Sequence, residues 1–464
     1  MIGLRTISAA TAGVMLLIGL AAPVAARGPA AGSPEDAAEI LKRSIAFRTV
    51  EGQGQVPAYA AYLASVLKDA GFADSDIEIT PIGDTATLVA RYPGTTDAKP
   101  LVLIGHMDVV EAKANDWERD PFTAVEENGY IFGRGAEDNK FDVTAIIATL
   151  ARLKAEGYRP RREIFLALSG DEETQMVTTR ALAQRFRGAE LVLNGDGGGG
   201  LRNDAGQPLL YALQAGEKTY ADFQIEVTDP GGHSSAPTGS NAIYRLTAIL
   251  HRLEAYTFPN RSNELTVAAL RAASRQIGGE LGAAMKRYAD NPGDAAAAEV
   301  IASRPEFVGQ IRTTCVATMV DAGHAQNALP QRATANINCR IFPGVSIDAV
   351  RQELVRVAAD PSARVTVLDD PAFSDASPLR PDVVKAVSRA VHARFPKLDI
   401  VPSMSPGATD SLHFRALGVP SYGVSALFQR PEDSFSHGLN ERVPVSEIAP
   451  ALEHYRSIIL DLSK

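Results

Sequence analysis

The chain has 464 residues, 45% of them hydrophobic and 22% charged, a composition that supports a sizeable buried core and excludes a disordered chain, a collagen-like fibre and a small disulfide-stapled scaffold. A formal net charge of −9 gives no basic footprint for nucleic acid, and two cysteines cannot form a four-thiolate metal site. With only eight histidines, each one beside carboxylates is a candidate for chemistry.

Residues 1–26 read as a signal peptide. Arg5 supplies a positive start, Ile7 to Ala22 is apolar, and Val24-Ala25-Ala26 is a small-residue cleavage site before Arg27. The alternative is an uncleaved anchor, but the apolar core is shorter than the ~20 residues a span needs. No cysteine near the cleavage site offers a lipid attachment. The expectation is a periplasmic or secreted protein without stable membrane insertion.

From Pro34 to Ala70 the pattern is helical, ending at Gly71. Strand-like runs follow, each closed by a polar cluster: Thr87 to Tyr92, Leu101 to Ile104 before Gly105-His106, Ile164 to Leu168 before Ser169-Gly170-Asp171, and Leu191 to Leu193 before Asn194-Gly195-Asp196. An amphipathic helix, Lys140 to Glu156, stands between the second and third runs. Short apolar runs alternating with helices predict an α/β domain, a mixed, largely parallel sheet flanked by helices. Such sheets bind ligands beyond the carboxyl ends of their strands. His106, Asp171-Glu172-Glu173 and Asp196 stand at those ends.

Near Gly216 the pattern changes. Gly197 to Gly200 reads as a loop at a sheet edge, Tyr220 to Thr228 alternates as a half-buried strand, Asp229 to Gly232 is a turn, and Asn241 to Glu254 is helical. Pro259 to Pro305 is an Ala-rich helical insertion. The runs Arg312 to Val320 and Arg332 to Ile341 flank a polar link; paired as a hairpin centred near Asn327, they set Cys315 opposite Cys339. Export permits a cross-strand disulfide there, and two buried thiols are the alternative. A helix from Asp348 to Ala359 completes an α+β module, and helices from Arg380 to Phe395 and Ser446 to Leu462 end the chain. The domains are therefore a split α/β unit, 27–215 and 371–464, interrupted by the module 216–370.

The chemistry lies in carboxylates and histidines. His106-Met107-Asp108 ends a strand; it is either structural or a metal-binding His106 with Asp108 fixing the imidazole from behind. Asp138 opens the helix, where it can cap the N-terminus or bridge two cations. Glu172-Glu173 places two acids at the end of a buried strand, which is either surface solvation or a charge that a cation compensates. Together these residues make a complete site: His106, Asp138 and Asp196 hold one ion, and Asp138, Glu173 and His437 the other. The oxygen and nitrogen ligands suit zinc, with cobalt or manganese as alternatives. Ions ~3.5–4 Å apart can deprotonate a bridging water. Glu172, not needed as a ligand, is free to take that proton and pass it to a leaving amine.

In this order the residues resemble the M20 family of metallopeptidases, which includes glutamate carboxypeptidase, aminoacylase, carnosinase-type dipeptidases and secreted N-acyl-amino-acid hydrolases. The resemblance is carried by His106-x-Asp108, Gly133-Arg134-Gly135 through Asp138-x-Lys140, Glu172-Glu173, Asp196, and His437 with Glu441 four residues on. It implies a split catalytic domain, an inserted lid or dimerisation domain, two divalent ions and Glu172 as catalytic base. It also implies that His233, in Gly232-His233-Ser234-Ser235, reaches a partner's site across a homodimer to stabilise the oxyanion. Asn327 and Arg340 match positions that hold a substrate's free carboxylate, a task that suits the planar fork of Arg, and Gly407 matches a residue lining that pocket. Glu137 is expected to point away from the ions, and Trp117 to form a structural turn with its aromatic ring near the pocket rim. The expected reaction is cleavage of a peptide or N-acyl amide next to an amino acid with a free carboxylate. An aminopeptidase or dipeptidase is the alternative within the family, and a non-catalytic protein of the same fold the alternative outside enzymes.

Overall fold

A computed structural model of the chain describes residues 30–464 and Met1, so the expected signal segment, Met1 apart, lies outside the described residues. Two sheets organise the molecule. In the larger, of ten strands, Ile164–Ser169, Leu101–His106, Leu191–Asn194 and Ser421–Gly423 run parallel and adjacent in that order. Thr85–Tyr92 and Ile77–Ile82 extend it antiparallel on one flank. Pro208–Glu217 extends it antiparallel on the other and pairs in parallel with Ile400–Ser405.

The central strands read as continuous apolar runs because both faces are covered. Leu101, Leu103, Leu166, Leu168, Leu191 and Leu193 pack beneath helices Pro34–Ile45, Val56–Asp69, Lys140–Ala155, Pro381–Arg394 and Ile448–Leu462. The alternate residues Val102, Ile104, Ala167 and Val192 meet helices Val177–Arg185 and Ser411–Ala416. All four central strands end at the same edge, the one that carries the candidate residues.

The first helical stretch is two helices, not one. The loop between Ile45 and Val56 contains Gly52 and Gly54 with positive φ of 76° and 61°, and its backbone is tied inward. Lys140 Nζ donates to the carbonyls of Ser44 and Phe47 at 3.0 and 2.8 Å, and Thr49 Oγ1 donates to Met107 O at 2.7 Å. The glycine run also differs from expectation: Gly199–Arg202 is a strand paired with Pro208–Glu217 and with Phe428–Gln429. Here glycine is required, since Gly198 has φ +77° and a Cβ on it would stand 2.5 Å from Gly423 O.

At Lys218 the chain passes directly from the larger sheet into the smaller, an antiparallel sheet ordered Thr314–Ala322, Arg332–Ile341, Thr219–Thr228, Arg364–Val367. Phe223, Ile225, Ala335 and Ile337 face helices Ala242–Ala255 and Ile347–Ala358, and the alternate residues face outward. Four helices between Glu264 and Ile311 form their own core around Leu270, Met285, Tyr288 and Ile301, while Leu265 joins the core of the larger sheet.

Cys315 lies opposite Cys339 in the register of the two strands, and the pair forms a disulfide. The bond closes a loop with a sequence separation of 24, which by loop-closure entropy contributes about 3 kcal/mol. Reduction is therefore expected to lower the melting temperature; an unchanged melting temperature would show that the smaller domain does not depend on the bond.

Candidate metal centre

His106 closes its strand in register with Ser169, and Asp196 follows Asn194, the residue paired with Ile104. The strand ends thus bring His106, Glu172, Glu173 and Asp196 to one point, and the loop before Lys140 adds Asp138. Three groups each offer ligand atoms within 4.8 Å of one another: His106, Asp138 and Asp196; Asp138, Glu173 and His437; and His106, Glu172 and Glu173. The first two are the ligand sets expected from the sequence, with Asp138 common to both.

Supporting bonds hold His106 and the acidic residues beside it. His106 Nδ1 donates to the carbonyl of Asp108 at 3.1 Å, which leaves Nε2 as the ligand atom, 2.8 Å from Asp138 Oδ1. The Asp108 carboxylate stands 3.6 Å from the imidazole, and its closer work is elsewhere: it accepts from the amides of Glu172 and Glu173 at 3.1 and 3.0 Å. Asp108 therefore positions Glu172 and Glu173 as well as His106. His437 Nε2 lies 2.9 Å from Glu173 Oε2 and 3.4 Å from Asp138 Oδ2.

Asp138 does not cap the helix, whose N-cap is Asn139. Its loop is held by Glu441, which accepts from the amides of Glu137 and Asp138 at 2.7 and 3.0 Å and from Gly135 N and Arg134 Nη1 at 2.8 and 2.7 Å. Trp117 is buried beneath the Arg134 guanidinium, 5.1 Å from its ring centre, and so braces this clamp rather than a pocket rim. Glu137 turns away from the centre as expected. It accepts from Gln429 Nε2 and Phe435 N, both at 2.7 Å, and fastens the segment that carries His437.

The charge balance calls for cations. Burial pushes the Glu172 carboxyl well above its ordinary range, with His106 opposing and Asp196 adding to the shift. Burial and Asp138 do the same to Asp196, whose carboxylate accepts no hydrogen bond from the described residues. Asp138 and Glu173 hold the His437 imidazole up to about 10. Burial would lower His106, but Asp108 and Asp138 outweigh it and raise it. The nitrogen and oxygen donors of these converging carboxylates and imidazoles fit a pair of divalent ions.

The remaining candidates fall into two further groups. Arg340, on the outward face of the smaller sheet, crosses to the larger domain: Nη1 donates to Pro406 O at 3.5 Å, beside Gly407. Its guanidinium rests on Tyr220, 4.7 Å from the ring centre, and Tyr220 OH donates to Asp222 at 2.6 Å. His233 and Asn327 meet at an exposed two-stranded corner, where Gly232–His233 pairs with Ala328–Leu329 and Ser234 N donates to Asn327 O at 3.0 Å. His233 Nδ1 accepts from Ser235 Oγ at 2.8 Å. Among the described residues no hydrogen bond joins this corner to the metal ligands.

Sequence reasoning missed the buried network behind the centre. Asp410 accepts from Ser169 Oγ at 2.7 Å, and Thr409 Oγ1 donates to Glu217 Oε2 at 3.0 Å while accepting from Asn194 Nδ2 at 3.2 Å. Glu217 in turn pairs with the buried Arg415 at 2.6 Å. Spacing gives no sign of these partners; the polar Thr409-Asp410-Ser411 run before a helix was the one available signal.

Comparisons with known proteins agree with this geometry. The family model described as peptidase family M20/M25/M40 matches residues 102–461. The chain is 31% identical over 366 residues to the N-fatty-acyl-amino acid synthase/hydrolase PM20D1 of Mus musculus, covering 75% of this chain and 71% of that protein. Its fold resembles the M20 family metallo-carboxypeptidase Sso-CP2 of Sulfolobus solfataricus, with a TM-score of 0.67, 18% identity, and coverage of 91% of this chain and 98% of the other. It also resembles the Bacillus subtilis YXEP protein, described as a dinuclear metal binding peptidase, with a TM-score of 0.58, 14% identity, and coverage of 92% and 99%. The motifs that gather at one sheet edge are thus those of a recognised hydrolase lineage, and the chain belongs to peptidase family M20/M25/M40.

Proposed function

We propose that the protein is an exported amidohydrolase that cleaves a peptide or N-acyl amide next to an amino acid bearing a free carboxylate. The observation that carries this reading is the pair of ligand sets sharing Asp138, with the Glu172 carboxylate beside them and Arg340 facing the Gly407 loop. His106, Asp138 and Asp196 would hold one divalent ion and Asp138, Glu173 and His437 the other, with zinc favoured by the mixed imidazole and carboxylate donors. When bound, such ions supply Lewis acidity toward the scissile carbonyl and acidify water.

Glu172 takes a proton from the attacking water at its carboxylate and delivers it to the amide nitrogen as the carbon–nitrogen bond breaks. Asp108, through the amides of Glu172 and Glu173, keeps that carboxylate aimed while the charge moves. Arg340, stacked on Tyr220, offers its fork to the substrate carboxylate beside the Gly407 loop. Arg340→Ala is expected to raise KM about 10–100-fold for free acids and little for their amides, as loss of a charge-assisted bond implies. Equal increases for both would make Arg340 a structural residue.

Export is supported by the Arg5 to Ala26 segment and by the Cys315–Cys339 disulfide, a bond that reducing compartments disfavour. His233 and Asn327, exposed on the smaller domain, are available to the site of a second copy, and a homodimer through that domain is part of the proposal. The whole reading is tested with blocked dipeptides and N-acyl amino acids offered as free acids and as amides. An aminopeptidase or dipeptidase would instead need the free α-amine.

A further inference from the structure

Between helix Ala242–Ala255 and strand Thr314–Ala322 of the smaller domain the chain inserts four helices, Glu264–Gln276, Gly279–Asp290, Ala295–Ala302 and Pro305–Ile311. The insertion leaves and rejoins that domain at one point. There Asn260 pairs with Arg312, Arg261 N donates to Ile311 O at 2.7 Å, and Tyr288 OH donates to Arg261 O at 3.0 Å. Its first helix faces two ways. Leu270 enters the insertion's own core, whereas the fully buried Leu265 packs into the core of the larger sheet. A Cβ on Gly216, the residue paired with Met404, would stand 3.0 Å from Leu265 Cδ1. From there the helix runs along strand Ile400–Ser405, and Arg275 pairs with Asp399 at the start of that strand.

Both ends of the insertion border the proposed carboxylate pocket. The strand on which its first helix lies leads directly into Pro406 and Gly407. Its last helix leads into Thr314, opposite Arg340 in the register of the smaller sheet. Lys218, at the junction of the domains, ties the two ends. Its Nζ donates to Arg312 O and Thr314 Oγ1 at 3.1 and 3.2 Å, and its amide donates to Ser405 O at 3.1 Å.

We propose that the insertion is a positioning module for the substrate carboxylate. With Leu265 as its anchor, it fixes Arg340 at its distance from the Pro406–Gly407 loop before substrate binds. The inference rests on the free-carboxylate reading above. The chain crossings alone would not fix that distance. The chain enters the smaller domain at Lys218 and leaves it after Val367, and the crossings lie side by side: Leu368 N donates to Asp222 O at 2.8 Å and Ser377 N to Ala215 O at 2.7 Å. Two adjacent crossings make a hinge about which a domain can turn. The helix adds a contact along a line, since it rises ~15 Å from Leu265 to Arg275. Burial of Leu265 supplies most of the hold, because the exposed Arg275–Asp399 pair contributes little. A pocket competent about a tenth of the time binds its ligand about tenfold more weakly, and the anchor removes that loss.

The test uses the zinc-loaded mature protein and its variants, each assayed well below its melting temperature. On N-acyl amino acids with a free carboxylate, Leu265→Ala is expected to raise KM about tenfold, with kcat within about twofold and both ions retained. Leu265→Met, which keeps the volume, should restore KM. In an Arg340→Ala background, Leu265→Ala should add nothing further, since the two changes act on one contact. Spin labels at Val355→Cys and Lys385→Cys, exposed on one helix of each domain, read the spacing without turnover, and the native cysteines are already joined. One narrow distance is expected in the parent protein, unmoved by the product amino acid and broadened by Leu265→Ala. A distance that Leu265→Ala leaves narrow, or a KM increase that multiplies with that of Arg340→Ala, would overturn the positioning role while the hydrolase reading stands. A parent protein that cleaves acids and amides alike would overturn the carboxylate reading and this inference with it.

Discussion

Glu172→Gln is expected to slow amide hydrolysis about 10²–10⁴-fold while the chain still binds two divalent ions. The residue is held through its own backbone, its amide donating to Asp108 Oδ1 at 3.1 Å, so the exchange of side chain leaves its placement intact. Glutamine matches glutamate in shape at a position only 8% exposed and removes one capacity, that of accepting and returning a proton. Burial pushes the native carboxyl upward, with Asp196 adding to it, and a carboxylate moved in that direction is a stronger base toward the attacking water. Metal content by atomic emission and kcat on a common substrate separate the roles. A variant with a near-normal rate, or one that loses its ions, would remove Glu172 from the base position.

Asp138→Ala is expected to be the most severe change among the ligands, with both ions lost and activity down about 10³-fold or more. Asp138 belongs to both ligand sets, whereas Asp196 and His437 each belong to one. Its loop should survive the change, because Glu441 holds the backbone amides of Glu137 and Asp138 rather than the Asp138 side chain. Asp196→Ala and His437→Ala should each retain one ion. If Asp138→Ala kept both, the two sets would not share a bridging carboxylate.

What could be read from the residues alone follows from how local each signal is. The ends of the parallel strands were legible because an apolar run stopped by a polar cluster marks both the strand and its edge, as at Leu101–His106 and Leu191–Asn194. The register that joins Cys315 to Cys339 was legible because a hairpin's symmetry fixes its opposite residues. Harder cases turned on contacts between distant segments. The break after Ile45 escaped notice because apolar residues continue through Val50 and Val56 on either side of Gly52 and Gly54. The Gly199–Arg202 strand looked like a loop because its glycines answer to the neighbouring carbonyls of Gly423 and Ala212.

The site divides along the same line. The candidate ligands and the proposed base sit in short motifs, whereas their supports are drawn from across the chain. Asp410 meets Ser169, Thr409 meets Glu217, and Tyr220 lies under Arg340, none at a spacing that marks the pair. Asp108 shows both sides: its neighbour His106 suggested one task, and its stronger bonds serve Glu172 and Glu173.

Hydrolysis of matched substrates tests the central claim most directly. The zinc-loaded mature protein is offered each N-acyl amino acid or blocked dipeptide as the free acid and as the C-terminal amide, with and without a chelator. Cleavage confined to the free acids, abolished by the chelator and restored by zinc, is the expected result. Cleavage that persists in the chelator at undetectable metal content, or that proceeds equally on acids and amides, would contradict a metal-dependent hydrolase that reads its substrate by the carboxylate.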